Sequence, residues 1–384
     1  MGVEEVIPWM SYDMFVTLLI LTGVVILLAV IVYLIKYLID VTPYAYVNAR
    51  IRGMEAKLLD DHKLNELIEA GSLVEVIGLL EDTVYSQFIP TNSKDIFSVE
   101  RSLEMHLAHI YKTLADISPE RCRKVLELFE KRYDVRNIKT ILRAKYARLD
   151  SESTFKMLIP LGRIPESKLR ELCEARTVEE VVSGLEGTEY GRILSEQLSL
   201  YEEYGNLIPL ELALDKYIYQ SLWRAVGIEG TNEDLFKEFV GRMIDIENLK
   251  VILRCKREGV PSDTISNYLL GVGYELPPWK LKELAEADSI EGVISSLEGT
   301  EYGNIISECL EEYERCRSAY VFEKVLDNYL VEVGKKLSLR QPFGVGPVIG
   351  FITSKEMEVR KLRAIINGKM EGLSPRDIRE LITN

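Results

Sequence analysis

Two hydrophobic patterns divide this chain. From Met14 to Ile35 twenty-two residues pass without a charge, most of them Leu, Ile and Val. At about 1.5 Å per residue such a helix crosses a hydrocarbon layer of roughly 30 Å. The pattern predicts a transmembrane helix over 14–36, after a short extracytoplasmic segment, 1–13. Beyond it, apolar residues return at spacings of three and four, as in Ile138, Ile141 and Leu142 or in Tyr190, Ile193, Leu194, Leu198 and Tyr201, and alternating strand patterns are scarce. The remainder is therefore expected to be all-α.

Along that remainder the same words recur. Leu-Glu-Gly-Thr-Glu-Tyr-Gly stands unchanged at Leu185–Gly191 and Leu297–Gly303, with a decayed copy at Leu80–Tyr85. Lys63–Ala70 recurs as Lys168–Ala175 and Lys280–Ala287, each time seventeen residues ahead of its partner word. A third block runs from Tyr133 to Lys145, from Ile244 to Lys256 and, more loosely, from Met357 to Lys369. One module built three times predicts helical units at 41–150, 151–260 and 261–384, each burying its apolar face against neighbours. Tyr46–Arg50 resembles the third block without its apolar spacing and is taken as a lead-in segment.

The shared words have a local physical reading. Gly187 and Gly299 suit the left-handed residue that ends a helix, Thr188 and Thr300 suit the cap of the next, and Glu189 and Glu301 fall in a first turn that favours a carboxylate. Asp82 in place of the glycine is expected to tolerate the same positive φ at some strain. In the third block, Asp134, Asp245 and Glu358 are expected to precede a helix body that Lys145, Lys256 and Lys369 follow, the charge order a helix dipole prefers. Asn137 and Asn248 suit a buried or a rim position equally. Lys139, Lys250, Arg363, Arg143 and Arg254 suit either local ion pairs on a solvated face or contact with a partner.

Charge sets the orientation of the anchor. No basic residue precedes the span, whereas Lys36, Arg50, Arg52 and Lys57 follow it, which places the large C-terminal part in the cytoplasm. Glu4, Glu5 and Asp13 at the start, with no small-residue cleavage site before Asp40, argue against a cleaved signal peptide. The net charge of −14 speaks against a nucleic-acid partner. Five cysteines without a Cys-x-x-Cys pair read as reduced thiols, with Cys173 and Cys255 in the role of small apolar fillers.

Candidate chemistry is thin. There is no phosphate-cradling Gly-x-x-x-x-Gly-Lys-Ser/Thr and no Gly-x-Ser-x-Gly. His106 and His109 are spaced to share a metal, but only His62 accompanies them. The Gly344–Gly350 stretch reads as a breaker loop feeding a helix. No catalytic residue, metal or cofactor is expected.

Several of these words together resemble a known family, the C subunit of archaeal (A-type) and bacterial vacuolar-like ATP synthases, related to the d subunit of the eukaryotic vacuolar ATPase. The resemblance runs from about Thr42 to Asn384. It is carried by Pro43–Arg52, by Asp134–Lys139 and Asp245–Lys250, and by Gln341–Pro347 leading to Val359–Arg363. Where the family pattern places an Asn in that last run, this chain has Lys361.

The resemblance implies a funnel of three helical units around a pseudo-threefold axis. It implies a non-catalytic central-stalk (rotor) subunit that joins the central shaft to the membrane ring of proteolipid subunits, for ATP synthesis coupled to proton or sodium transport. Its expected location is the cell membrane as a single-pass protein, with no small-molecule substrate. Arg50, Arg52, Phe343 and Gly344 are the residues expected at a partner interface. The alternative is a membrane-anchored helical-repeat adaptor with no rotary role. Three closed units favour a cup, whereas an open solenoid tolerates any copy number.

Overall fold

The computed structural model of the protein describes residues 12–89, 96–225 and 233–382. The segment expected outside the membrane, 1–13, lies almost wholly beyond them. Among the described residues every regular element is a helix, so the all-α expectation holds.

The first helix, α1 (Tyr12–Glu55), is followed by α2 (Asp61–Glu69), α3 (Leu73–Leu80) and the long α4 (Ile96–Ile117). Next, α5 (Glu120–Tyr146) opens a series of short helices, α6 (Ser151–Lys156), α7 (Glu166–Glu174), α8 (Val178–Gly184), α9 (Glu189–Ser195) and α10 (Leu198–Tyr204), closed by α11 (Ile208–Ala225). The series repeats as α12 (Glu233–Arg257), α13 (Ser262–Tyr268), α14 (Pro278–Glu286), α15 (Ile290–Ser296), α16 (Glu301–Ser307), α17 (Leu310–Cys316) and α18 (Tyr320–Arg340). It begins a third time with α19 (Gly346–Met370) and α20 (Pro375–Ile382).

Six long helices pack side by side in a closed circuit. Helix α4 lies on α19, α19 on α18, α18 on α12, α12 on α11, α11 on α5, and α5 returns to α4. Helices bearing the third repeated block (α5, α12, α19) thus alternate with helices that do not. The tightest of these contacts is the α18–α19 hairpin, where a Cβ on Gly350 would come within 2.7 Å of the Gly334 carbonyl. The Gly344–Gly350 stretch is accordingly a short turn that becomes helix at Gly346, and its last glycine serves close packing.

Helix α1 departs from the expected boundaries. It spans 44 residues, about 66 Å, and runs through Pro43 without a break. Its apolar residues between Met14 and Ile39 are mostly exposed on every side, and it is the one helix among the described residues long and apolar enough to cross a membrane. The lead-in segment is its continuation. Tyr44, Val47 and Ile51, at three and four residue spacing, are buried, and this end of α1 packs on α19 and α4.

The joints are built locally, much as the residue types dictate. Gly187 and Gly299 have φ of +80° and +83°, and the hydroxyls of Thr188 and Thr300 accept from the N–H of Gly191 and Gly303 at 3.1 and 3.0 Å. The first copy departs from this. Asp82 is not among the residues of positive φ, and the chain from Glu81 to Ile89 forms successive turns in place of a helix. No strained αL aspartate is needed, because this copy of the joint is a different turn.

Candidate functional site

The third block does its work in the middle of a helix, not at its start. Asp134, Asp245 and Glu358 lie well inside α5, α12 and α19 and are buried, 1%, 0% and 5% exposed. The expected dipole arrangement is therefore incorrect for these acids: they capture backbone of the loops that lead into α2, α7 and α14. Asp134 accepts from the N–H of Arg163 and Ile164 at 2.8 and 3.0 Å and from the hydroxyl of Tyr190 at 3.0 Å. Asp245 takes the same three bonds from Tyr274, Glu275 and Tyr302 at 3.0, 2.7 and 3.0 Å. Glu358 accepts from the N–H of Leu59 and the hydroxyl of Tyr85, at 2.5 and 2.6 Å.

The neighbouring residues complete the lock. The amides of Asn137 and Asn248 are buried, each accepting from a loop N–H (Ile159 at 2.9 Å, Leu270 at 2.8 Å) and donating to a loop carbonyl. Lys145, Lys256 and Lys369 donate to the carbonyls of Cys173, Ala285 and Ile68. The repeated words are thus partners of one another. The partners of α5 and α12 follow in sequence, across positions 150 and 260, whereas those of α19 lie near the start of the chain. Lys361, at the position of the two asparagines, is half-buried beside Leu381 and Ile382.

The basic positions face the alternate helices of the circuit. Lys139 meets Asp215 at 2.7 Å and Arg143 meets Glu211 at 2.6 Å on α11. Lys250 meets Asp327 at 2.5 Å and Arg254 meets Glu323 at 2.7 Å on α18. On α4, Glu104 and Glu100 take Arg363 at 3.1 and 3.4 Å, and Asn367 also donates to Glu100. These ion pairs are tertiary, not local, and they fix the spacing of the ring. Glu189 and Glu301 repeat the principle, pairing with Lys131 at 2.7 Å and Arg242 at 2.9 Å.

Five helices of the circuit line a cavity of about 500 Å³. It is lined by Glu104 of α4, Arg132, Tyr133 and Arg136 of α5, Tyr219 of α11, Glu247 of α12, and Glu356, Arg360 and Arg363 of α19, with Leu107, Ile159 and Val359 as apolar wall. Arg136, Glu247 and Arg360 occupy the same position of the third block, two residues beyond Asp134, Asp245 and Glu358. Three copies of one position therefore open on one space.

Most of the lining charge is internally committed. Glu356 accepts from Arg132 at 2.8 Å and from the hydroxyls of Tyr111 and Tyr133 at 2.6 and 2.7 Å. Burial alone would raise its carboxyl pKa, but Arg132 and the two hydroxyls outweigh it and hold the group below the usual value. Arg360 pairs with Asp327, and Glu247 with Lys250 at 2.8 Å. Arg136 makes no side-chain hydrogen bond or ion pair among the described residues, although it keeps access to solvent in the cavity. Burial, then the nearby Arg363, pulls its pKa below the ordinary arginine value.

The residues singled out for an interface lie elsewhere. The Asn48 amide donates to the Pro342 carbonyl and Arg52 to the Ser338 hydroxyl at 3.4 Å, so Arg50, Arg52, Phe343 and Gly344 share the region where α1 meets the α18–α19 turn. Phe343 and Leu339 are exposed there, 50% and 72%. Arg52 is also bonded to Glu55 at 2.6 Å. Of the cavity residues, Tyr133, Arg136, Glu247, Val359, Arg360 and Arg363 stand within the repeated blocks; the signal of Arg136, Glu247 and Arg360 was their shared position, which meant nothing until the helices were known to face one another.

His106 and His109 do not form a metal site with other ligands: among the described residues no three His, Cys, Asp or Glu are placed to hold an ion. His106 is buried against Tyr85 and Phe88, and desolvation, then Lys355, lowers its pKa to about 3. The five cysteines are unpaired; Cys173 is buried, Cys255 half-buried and Cys316 exposed.

The family described as ATP synthase (C/AC39) subunit matches residues 47–381. The chain is 55% identical over 356 residues to the C subunit of the A-type ATP synthase of Methanocaldococcus jannaschii, covering 92% of this chain and 89% of that one. It is 41% identical over 363 residues to the corresponding protein of Methanothermobacter thermautotrophicus, with 94% and 93% covered. With that of Pyrococcus horikoshii identity is 34% over 343 residues, with 89% and 90% covered. A match over nearly the whole helical body, reinforced by relatives aligned almost end to end, makes this chain a member of the ATP synthase C/AC39 subunit family.

Proposed function

We propose that the protein is a non-catalytic rotor part of an A-type ATP synthase, coupling the central shaft to the proteolipid ring. The observation that carries this reading is the closed circuit of six helices with a polar cavity that five of them line, three at one repeat position. A closed circuit is stiff, because every helix is braced on both sides, and a part that transmits torque requires stiffness and mating surfaces in place of a reactive group.

The three units of this cup are taken as interlocked across 150 and 260. The long helices carry the short ones that follow, and α19 carries the N-terminal set, so the units at 41–150, 151–260 and 261–384 hold one another shut. The cavity receives the shaft. The region of Arg50, Arg52, Phe343 and Gly344 meets a second partner close to the membrane, since it adjoins the emerging end of α1.

Helix α1 spans the membrane with the body on the cytoplasmic side, as Lys36, Arg50, Arg52 and Lys57 favour. Because α1 continues unbroken into the body, the span turns with it. A span that turns with a rotor sits best on the rotation axis, within the lumen of the proteolipid ring. Crosslinks from α1 to ring subunits are expected; crosslinks chiefly to stationary subunits would overturn this placement.

The adaptor reading is disfavoured by the braced circuit, since an open solenoid leaves its first and last repeats unpaired. Affinity capture of the tagged protein in mild detergent tests the rotor reading. Shaft and ring subunits are expected in the eluate, and their absence from a membrane extract that contains assembled synthase would refute it.

A further inference from the structure

We propose that Arg136 is the key of the cavity: it takes a carboxylate from an acidic side chain on the segment that enters, and so fixes which of three similar orientations that segment adopts. This rests on the reading of the cavity as a shaft socket and adds the chemistry by which the socket is indexed.

The argument starts from near-symmetry. A cup with a copy of the same block helix on three sides offers an inserted shaft three seats of similar shape. Shape complementarity alone discriminates poorly among them, and a difference of charge at equivalent points separates them at little cost elsewhere. The equivalent points here are Arg136, Glu247 and Arg360, and they are unlike.

Only one of them is free to act. Glu247 is held by Lys250 at 2.8 Å, and Arg360 by Asp327. The other cations of the lining are also occupied, Arg132 by Glu356 at 2.8 Å and Arg363 by Glu104 at 3.1 Å. Among the described residues Arg136 alone of the lining arginines makes no ion pair; it feels the Glu104 carboxylate and, more strongly, the like charge of Arg363, which makes an added anion more welcome. Arg136 is exposed to the solvent of the cavity and so open to an incoming carboxylate. Tyr133, Tyr219, Leu107 and Val359 around it suit the aromatic and aliphatic side chains of an inserted helix.

The test uses the full-length protein in detergent with the purified shaft subunits of the same synthase. Arg136→Glu is expected to weaken shaft binding by roughly 30-fold or more, Arg136→Gln by less, and Arg136→Lys to retain most of the affinity. Reversing one acidic residue of the shaft tip to Arg is expected to restore binding to the Arg136→Glu protein. A photocrosslinker at Leu107 is expected to give a single shaft adduct with the native arginine and several with Arg136→Gln, a readout that mere loss of stability would not produce.

Equal binding by native protein and Arg136→Glu, with both melting alike, overturns the key while leaving the socket intact. A native protein that fails to bind the shaft at all overturns the socket reading itself. Should inorganic phosphate stabilise the native protein and not Arg136→Gln while leaving shaft affinity unchanged, the cavity is a small-anion site and the proposal fails.

Discussion

Asp245 has its Oδ2 engaged by two backbone N–H groups and a tyrosine hydroxyl, yet its Oδ1 is buried without a partner. Burial outweighs the three hydrogen bonds and raises its pKa to about 6 from the ordinary 3.8. A carboxyl whose folded pKa is raised binds its proton more tightly in the native state. Its contribution is therefore complete below about pH 3.8 and is lost as pH rises through about 6. Relative to Asp245→Asn, the native protein should lose on the order of 3 kcal/mol between pH 4 and 7, read from urea unfolding in detergent. A constant difference across that range would show that the hydrogen bonds keep the carboxylate charged. Two arginines also carry a cost that their counterparts avoid. Arg148 (φ 58°) occupies the left-handed position after a block helix where Gly259 and Gly372 stand, and Arg317 (φ 52°) corresponds to Gly205. Arg148→Gly and Arg317→Gly should each stabilise the protein by about 0.5–1 kcal/mol in the same assay. These residues were visible in the sequence, but their φ was not, since an arginine in a helix-ending position carries no mark of the strain.

At the scale of elements, hydrophobic spacing anticipated the all-α class, and the shared words located the joints at Gly187 and Gly299 but not the turn at Asp82. Misplacements arose where a helix obeyed something other than local preference. Asp134 was assigned to a helix start because acids favour that end of the dipole, but α5 begins at Glu120 and spends Asp134 on a loop that is remote in sequence. The apolar run that ends at Ile35, followed by Lys36, predicts a boundary there; burial of Tyr44, Val47 and Ile51 against the body continues α1 beyond it. Pro43 removes one ladder donor and leaves the Ile39 carbonyl without its partner in that helix. Pro43→Ala should therefore stiffen α1 between its apolar stretch and the body, by up to about 3 kcal/mol of local opening free energy, seen as slower hydrogen exchange over residues 39–47. Unchanged exchange would show that packing already fixes this stretch.

On the scale of the whole molecule, the two ends of the chain are held together. Glu358 of α19 bonds Leu59 and Tyr85, and with Lys355 at 2.5 Å it forms a buried pair beneath the first repeat. Glu358→Ala strands Lys355 and two donors in the interior, at a cost of about 3–5 kcal/mol. Hydrogen exchange should accelerate over 59–89, far away in sequence, and acceleration confined to α19 would refute the idea that α19 supports the N-terminal set. What the sequence alone determined is the helical class, the repetition of its words, the long apolar helix and the family, because periodicity, repetition and motif are properties of neighbours along the chain. Only the tertiary structure decided that the repeated words bind one another, that α19 closes the circuit on the N-terminal helices, and that Arg136, Glu247 and Arg360 share one cavity. Such pairings depend on which helix faces which, and that is set by the packing of faces whose own sequences look nearly alike.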